Sequence, residues 1–147
     1  LIKNKKLYLG GIKIPFDSGL KGHSDGDVIL HSIIDAILGA MRKKDIGTFF
    51  PDNKNQFKNI RSTKMLKPII EILNRNNFYI NNLDINLICE QPKVSKYRDK
   101  ILKSLSNLLK LDKDLINLKG KTVEKLGLIG KEKAIACEVI VSLNKHD

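Results

Sequence analysis

A stretch near the N-terminus contains most of the side chains that could carry acid–base or metal chemistry. It reads HSDGDVILH, from His23 to His31, and it holds two of the three histidines and two aspartates. An imidazole next to a carboxylate is a common arrangement of a zinc ligand whose second ring nitrogen is held in place. The same residue types also form ordinary helix entries. A catalytic and a structural interpretation therefore both remain open for this stretch.

His31 is the candidate metal ligand of the stretch. Asp27, His31 and Asp35 recur every four residues, so on a helix they lie along the edge of the polar face. His31 could then be a structural histidine with satisfied hydrogen bonds, or a zinc ligand. A catalytic zinc site has three protein ligands and one open position. The chain offers no obvious second and third ligand.

His23 and Ser24 lie at the predicted start of the same helix. Backbone N–H groups and the helix dipole favour phosphate binding at such a position. An ordinary capping segment is the alternative. Polar residues farther along the chain, such as Asp45 and Thr122, individually fit turns and loops as well as they fit a site.

The hydrophobic pattern predicts the elements that must position these residues. Apolar residues at helical spacing follow Asp27, which is a good N-cap, and Gly10-Gly11 separates two short alternating segments as in a hairpin. The full prediction, in chain order, is a hairpin about Gly10-Gly11, a helix from Asp27 to about Lys43, a loop over 45–56, a helix over 62–75 that contains Pro68, a strand over 82–89, a helix over about 95–109, a short strand over 114–120, a connector over 122–130 and a closing strand over 133–143.

This order of elements is typical of an α+β fold, with a mixed β-sheet and helices packed on one face. The other face of the sheet would then be uncovered. Glu138 lies in the closing strand, where a lone carboxylate is costly unless it is paired or at an interface. The pattern therefore favours oligomerisation through the sheet.

Length and composition bound the class of protein. With 147 residues, of which 41% are apolar, the chain is predicted to form one globular domain over residues 1–147. No apolar stretch reaches the roughly 20 residues of a membrane span, which predicts that the protein has no membrane partner. Cys89 and Cys137 lie in strand-like apolar segments, so buried free thiols are favoured over a disulfide.

The net charge of +11 suggests a nucleic-acid partner, but the composition weakens that hypothesis. The chain has no tryptophan and only 5% aromatic residues with which to stack bases. The charge is also uneven, since residues 23–52 carry a net charge of −2 and the remainder +13. An acidic site in a basic body favours cation binding, with lysines that attract an anionic substrate, and we expect no nucleic-acid partner.

Several blocks, taken together, resemble the 2-C-methyl-D-erythritol 2,4-cyclodiphosphate synthase family. The blocks are GGIKIP, GLKGHSDGDVILHSIIDAILGA, DIGTFFPD, QPK, TVEKLG and IACE, and they occur in the family's order over nearly the whole chain. HSDGDVxxH combined with DIGxxFPD is the specific part of the resemblance. The family signature TEKLG appears here as VEKLG.

The resemblance implies a fold, an assembly and a reaction. The family's fold is an α+β unit that forms a homotrimer with active sites at the subunit interfaces. Its reaction is a lyase step of the non-mevalonate isoprenoid pathway, in which the 2-phosphate of 4-diphosphocytidyl-2-C-methyl-D-erythritol 2-phosphate attacks the β-phosphate and expels CMP. His31 would be a zinc ligand. The family's other two zinc ligands form an Asp-x-His pair on a first strand, which this chain lacks.

The resemblance also implies roles for the remaining residues. His23 and Thr122 would stabilise the transition state, and Glu124 would bind a Mg²⁺ or Mn²⁺ that bridges the diphosphate. The implied substrate-binding positions are His23 and Ser24 at a phosphate, Asp45, Ile46 and Gly47 at the ribose, Phe50, Pro51 and Asp52 at the methylerythritol portion, Cys89, Pro92, Lys93, Val94 and Ser95 at the cytosine, and Lys121, Thr122, Glu124, Leu128 and Lys131 nearer the phosphates and the trimer axis.

Three of these positions depart from the family pattern. Lys121 stands where the family often has a small hydroxyl residue, and Leu128 and Lys131 replace a common Phe and Arg. The pathway runs in bacteria and plastids, and the lysine and asparagine bias leads us to expect a plastid-type organelle, with the bacterial cytoplasm as the alternative. A basic nucleic-acid-binding module and a non-catalytic relative are the competing functional hypotheses.

Overall fold

The computed structural model describes residues 1–147, and its helices and strands follow the predicted order. The elements are β1 (Ile2–Lys3), β2 (Leu7–Leu9), β3 (Ile12–Ile14), β4 (Ser18–Gly19), α1 (Val28–Ala40), α2 (Ile46–Phe49), α3 (Ser62–Arg75), β5 (Phe78–Ile88), α4 (Val94–Leu109), β6 (Ile116–Lys121), α5 (Gly127–Gly130) and β7 (Ala136–Lys145), with short 3₁₀ turns at Asn55–Phe57 and Lys113–Leu115.

A three-stranded mixed sheet forms the centre of the fold. β5 lies in the middle, parallel to β6 and antiparallel to β7. Alternate residues of β5, Leu83, Ile85 and Leu87, are at most 1% exposed. They pack with the apolar faces of α1, α3 and α4 in one core of 25 buried residues. The predicted α+β architecture, with helices on one face of a mixed sheet, is confirmed.

The opposite face of this sheet carries polar residues and one exposed isoleucine. Asp84 of β5 accepts a hydrogen bond from Lys119 of β6 at 3.0 Å. On β7, Glu138 is exposed and Ile140 is 75% exposed. Asn86, paired with Glu138 across the strands, has a buried Oδ1 that makes no hydrogen bond. No element of this chain covers that face.

α1 begins as predicted and ends slightly earlier. Asp27 is its N-cap and accepts from Leu30 N at 3.1 Å. The apolar stripe is completely buried, and it includes Ile33, Ile37 and Leu38. The prediction that the helix reaches Lys43 was wrong, because the helix ends at Ala40 and Arg42 adopts a left-handed φ of +58°.

Asp27 also fixes the hairpin of β2 and β3. Its carboxylate accepts from Gly10 N at 2.9 Å and from Gly11 N at 2.7 Å, and it is fully buried. Burial raises the pKa of Asp27 to about 6, although the three backbone N–H donors act in the opposite direction. The side chain was expected on the edge of a polar face, but it points inward because it binds the hairpin turn.

The remaining differences from the predicted elements are local. The strand predicted over 82–89 begins earlier, at Phe78, the closing strand predicted over 133–143 covers Ala136–Lys145, and the predicted connector over 122–130 contains α5. The hairpin forms its own two-stranded sheet, and a short pair of β1 with β4 was not predicted. Residues 45–56, predicted as a loop, contain α2. β6 begins at Ile116 because a 3₁₀ turn occupies Lys113–Leu115. α3 has the predicted bounds and continues through Pro68. No helix in the structure combines the length and apolar composition that crossing a membrane would require.

Candidate active site

A cavity of about 420 Å³ lies between the start of α1 and the segment that follows it. Its wall includes seven residues that the sequence placed in the site: His23, Ser24, His31, Ile46, Gly47, Phe50 and Asp52. The wall also includes apolar residues that the sequence did not single out, among them Phe57, Ile60 and Ile135. These come from separate segments, so neither spacing nor motif could have identified them.

His31 is held at the cavity wall by two hydroxyl groups. Its Nε2 lies 2.8 Å from Ser62 Oγ and 3.1 Å from Ser24 Oγ. The Ser62 hydroxyl donates its proton to Asp25 Oδ1. The Ser62 oxygen therefore accepts from Nε2–H, which leaves Nδ1 as the unprotonated nitrogen of the neutral ring.

The electrostatic environment of His31 combines burial with nearby carboxylates. Burial lowers the pKa of His31, while the carboxylates of Asp25, Asp35 and Asp52 act in the opposite direction. The ring is therefore neutral at pH 7 and able to bind a metal. The acidic local balance expected from the sequence surrounds this imidazole.

Asp25 is the centre of a buried network that the sequence analysis missed. Its Oδ2 accepts from Ser62 N at 2.9 Å and from Arg61 Nε at 3.1 Å, and its Oδ1 accepts from Asp27 N at 3.0 Å. The network joins the entry of α1 to the start of α3, 37 residues apart along the chain. The only indication in the sequence was Ser62 at the predicted start of α3, and a serine at a helix start is too common to predict a bond to Asp25.

Three of the amides at the entry of α1 are already bonded within the chain. Asp27 N donates to Asp25, and Leu30 N donates to Asp27. Gly26 N donates weakly to Ser24 Oγ at 3.3 Å. The side chains of the segment, rather than these backbone groups, are left to contact an anion.

His23 is oriented by the segment on the other side of the cavity. Its Nε2 lies 3.1 Å from the Lys54 carbonyl oxygen, which can only accept, so Nε2 carries the proton. Asn59 N donates to the His23 carbonyl at 2.7 Å. Phe50 and Phe57 pack edge to face with ring centroids 5.3 Å apart. This segment therefore folds against His23 as a structured wall.

Asp45 and Pro51 flank the cavity segment but do not line the cavity. Asp45 caps α2, accepting from Thr48 N at 3.1 Å and from Thr48 Oγ1 at 3.0 Å. Asp35 accepts from Ile46 N at 2.8 Å and so ties α2 to α1. The first turn of α2 is positioned by these two carboxylates.

The predicted residues of segments 89–95 and 121–124 form a second cluster that does not line the cavity. The segment 89–95 follows β5 and the segment 121–124 ends β6, and the two are neighbours because Ile88 pairs with Lys121. Cys89 N donates to the Lys121 carbonyl at 2.9 Å. A Cβ at Gly120 would lie 2.7 Å from Val94 side-chain atoms, so the start of α4 packs directly on β6.

Several members of the second cluster are exposed. Lys93, Ser95, Lys121, Thr122 and Glu124 are all accessible to solvent. Pro92 is buried, and its carbonyl lies 3.5 Å from Cys89 Sγ. Burial raises the pKa of the Cys89 thiol to about 11, and the nearby Glu90 carboxylate adds to this. Both cysteines are free, as predicted.

Leu128 lies in α5 and Lys131 directly after it, close along the chain to segment 121–124. Leu128 is 67% exposed, and the neighbouring Leu126 is 72% exposed. Lys131 is also exposed. Two large apolar side chains in solvent on one short segment indicate a surface available for contact.

The residues of this chain do not complete a metal site. No three His, Cys, Asp or Glu side chains lie close enough to hold an ion together. His31 supplies one suitable nitrogen, and Glu124 supplies one exposed carboxylate in the second cluster. Each fits as a single ligand.

The chain is similar to one family model and to several curated proteins. Residues 1–144 match the sequence model of the YgbB family. The chain is 55% identical over 147 residues to a "Bifunctional enzyme IspD/IspF" of Pelagibacter ubique, of which it spans 40%. It is 43% identical over 140 residues, 95% of its length, to the 2-C-methyl-D-erythritol 2,4-cyclodiphosphate synthase of Caldicellulosiruptor bescii, of which it spans 89%.

A solved structure agrees with these relatives. The structure titled "IspF (Plasmodium falciparum) CDP complex" superposes with a TM-score of 0.86 at 43% identity, covering 99% of this chain and 87% of that one.

Proposed function

The chain belongs to the YgbB family of 2-C-methyl-D-erythritol 2,4-cyclodiphosphate synthases, and we propose that it catalyses the family's cyclisation. The substrate is 4-diphosphocytidyl-2-C-methyl-D-erythritol 2-phosphate, and the products are 2-C-methyl-D-erythritol 2,4-cyclodiphosphate and CMP. The observation that carries the proposal is the cavity. It brings His23, Ser24 and His31 together with the segment 46–52, as the signature requires.

The chemistry fits these residue types. The attacking 2-phosphate is an anion at neutral pH, so no strong general base is needed. The main obstacle is repulsion, since two unit charges about 4 Å apart repel by roughly 4 kcal/mol at an effective dielectric of 20. Holding a tethered nucleophile in line with the β-phosphate can contribute about 7–11 kcal/mol in favourable systems.

The residues of the cavity would perform this positioning. His23, whose Nε2–H is held by the Lys54 carbonyl, and the Ser24 hydroxyl lie together at the cavity wall, where they can contact the phosphate side of the substrate. Phe50 and Asp52 would contact the methylerythritol portion. Asp45, Ile46 and Gly47 would meet the ribose through the first turn of α2.

We also propose zinc at His31 and Mg²⁺ or Mn²⁺ at Glu124. The hydroxyl of Ser62 holds Nε2, so the unprotonated Nδ1 is the nitrogen suited to an ion. A tetrahedral zinc site needs two further protein ligands that these residues do not supply. When bound, divalent ions supply charge stabilisation for phosphoryl transfer.

The two separated groups of residues support a homotrimeric assembly. The cavity lacks the predicted cytosine loop over 89–95 and the loop over 121–124, so the site is incomplete within one copy. The uncovered sheet face carries the exposed Ile140 and the unbonded Oδ1 of Asn86. We propose that copies associate through this face and that the loops of one copy complete the cavity of another.

For the compartment we propose the bacterial cytoplasm, the second of the two expectations. The relatives from Pelagibacter ubique and Caldicellulosiruptor bescii, 55% and 43% identical, are bacterial proteins. The plastid expectation gains no support from them. The absence of a nucleic-acid partner stays a prediction.

One assay tests the function directly. The full-length protein is incubated with the diphosphocytidyl substrate, zinc and magnesium, and the release of CMP and of the cyclic diphosphate is followed by ³¹P NMR. The proposal expects both products in equal amounts, and loss of both on chelation. Binding of CMP without cyclisation would favour a non-catalytic relative. Steeply salt-dependent binding of RNA or DNA, with no turnover, would favour the nucleic-acid-binding module.

A further inference from the structure

Glu90 connects the two loops of the second cluster. Its Oε1 accepts from Val123 N at 3.1 Å and from Lys125 N at 2.9 Å. Glu90 follows β5 in the loop proposed to bind cytosine. The two amides flank Glu124, in the loop proposed to bear the diphosphate contacts. One carboxylate oxygen therefore joins segments that are 33 to 35 residues apart along the chain.

The loop that Glu90 holds also has local contacts, since Leu126 N donates to the Val123 carbonyl at 3.1 Å and Gly130 packs against the Lys125 backbone. Glu124 and Lys125 both adopt left-handed backbone conformations, with φ of +55° and +62°. Consecutive non-glycine residues in this region are uncommon and persist only where the surroundings impose them. Thr122, Glu124 and Lys125 are exposed, so no apolar packing of their side chains imposes it. The paired hydrogen bonds to Glu90 are the side-chain contacts that tie the backbone on both sides of Glu124 to the loop after β5.

The cytosine loop, in contrast, has independent supports. Cys89 N donates to the Lys121 carbonyl, and Val94 packs on Gly120. Arg98 Nε donates to the Leu118 carbonyl at 3.0 Å. Loss of the Glu90 carboxylate would leave these contacts in place. Its effect should therefore fall on the loop that carries Thr122 and Glu124.

We infer that Glu90 is a positioning residue for the reaction, holding Thr122 and Glu124 in register with the cytosine loop. The inference rests on the proposed function. Glu90 itself contacts only backbone N–H groups, so it acts through the loop. The two N–H groups need an acceptor oxygen at the end of a side chain of this length. The amide oxygen of a glutamine also meets that requirement.

A matched pair of variants tests this role in the full-length protein with zinc and magnesium. Glu90→Met keeps the side-chain length without an acceptor, and Glu90→Gln keeps the acceptor without the charge. Glu71→Gln, on the exposed face of α3, is the control for loss of one carboxylate. We expect Glu90→Met to lower kcat by about 100-fold, as a displacement of about 1 Å can do, with little change in the Kd for CMP. Glu90→Gln and Glu71→Gln should both stay near the wild type.

Amide hydrogen exchange measured by NMR provides a readout that does not depend on turnover. In the wild type, the amides of Val123 and Lys125 should be protected and that of Glu124 should not. The protection of both should be lost in Glu90→Met and kept in Glu90→Gln. This measurement remains decisive should Glu90→Met fold poorly, because the wild type and Glu90→Gln suffice for it.

The outcomes separate the inference from the function it rests on. A wild type that releases no CMP would overturn the proposed function, whatever the exchange pattern. An active wild type with unprotected Val123 and Lys125 amides would overturn the inference alone. So would a folded Glu90→Met protein with wild-type kcat, or equal losses in Glu90→Met and Glu90→Gln.

Discussion

The Ser62 hydroxyl lies between His31 and Asp25, 2.8 Å from the Nε2 of the first and bonded to the Oδ1 of the second. The relationship crosses from α1 to α3 and ties the ring to a carboxylate that is itself held by Arg61 at 3.1 Å. It orients the imidazole and sets its tautomer. Ser62 is fully buried, so water cannot replace its hydroxyl without rearrangement.

Ser62→Ala should lower turnover while leaving the fold intact. Removing a group that orients a metal-binding imidazole typically costs about 10–100-fold in activity or metal affinity. Ser62→Thr keeps the hydroxyl and should restore most of kcat. Ser104→Ala, which removes the bond to the Gly10 carbonyl, is the control for loss of a serine hydrogen bond. Steady-state CMP release and thermal melting measure both effects, and equal activity of Ser62→Ala and wild type would refute the role.

His31→Ala should abolish turnover and reduce the zinc content of the full-length protein. The His31 imidazole lines the cavity, and burial lowers its pKa. Metal analysis by mass spectrometry and CMP release check the two parts. Retention of one zinc per subunit with normal turnover would exclude His31 as a ligand.

Asp45→Ala should weaken CMP binding by roughly tenfold, because a hydrogen bond to a charged group contributes about 1.5 kcal/mol or more. Asp45 also caps α2 through Thr48, so part of the loss would come from a loosened helix start. Thr48→Ala removes one of these cap bonds without touching the carboxylate and is the control. Calorimetric titration with CMP gives the affinities. An unchanged Kd in Asp45→Ala would count against contact with the ribose.

The titration of Asp27 should appear as a pH-dependent stability. Its folded pKa of about 6 lies above the ordinary value of 3.8 for an aspartate, so the folded state binds the proton more tightly than the unfolded state. This contribution is fully present below pH 4 and is lost as the pH rises through 6. The unfolding free energy of the wild type relative to Asp27→Asn should therefore fall by about 2–3 kcal/mol over that interval. Urea unfolding at several pH values measures this difference in unfolding free energy. A difference that does not change with pH would contradict the raised pKa of Asp27.

Ile140→Lys should prevent assembly. The residue is 75% exposed in one copy and lies on the uncovered sheet face, opposite Asp84 of the central strand, where a lysine would bring a charge into the proposed interface. Sedimentation velocity should show monomers for this variant and trimers for the wild type. Leu115→Lys, at an exposed leucine outside the strands, should leave assembly unchanged. Trimers of Ile140→Lys would show that another surface is used.

Periodic features of the chain were predictable from the sequence, and long-range contacts were not. The bounds of α3 and the Asp27 cap followed from apolar spacing and capping chemistry, because both are local properties. The link from Asp25 to Ser62 joins distant segments, and nothing in either segment indicates the other. The loop of Glu90 was recognised as a motif, yet its side-chain bond depends on how β5 and β6 pair.

The placement of the site shows the same division. The signature named seven of the residues that line the cavity, and three of them, His23, Ser24 and His31, lie within one local segment. It also named the residues of the second cluster. The second cluster is separated from the cavity by the way the single copy folds, and local sequence spacing does not encode that separation.

The close approach of Val94 to Gly120 has a consequence for how the sequence can vary. Any side chain at position 120 would begin 2.7 Å from side-chain atoms of Val94. In a library of random variants selected for survival, position 120 should accept almost no replacement. A larger residue there would become tolerable only alongside a smaller one at position 94, so the two sites should change together or not at all.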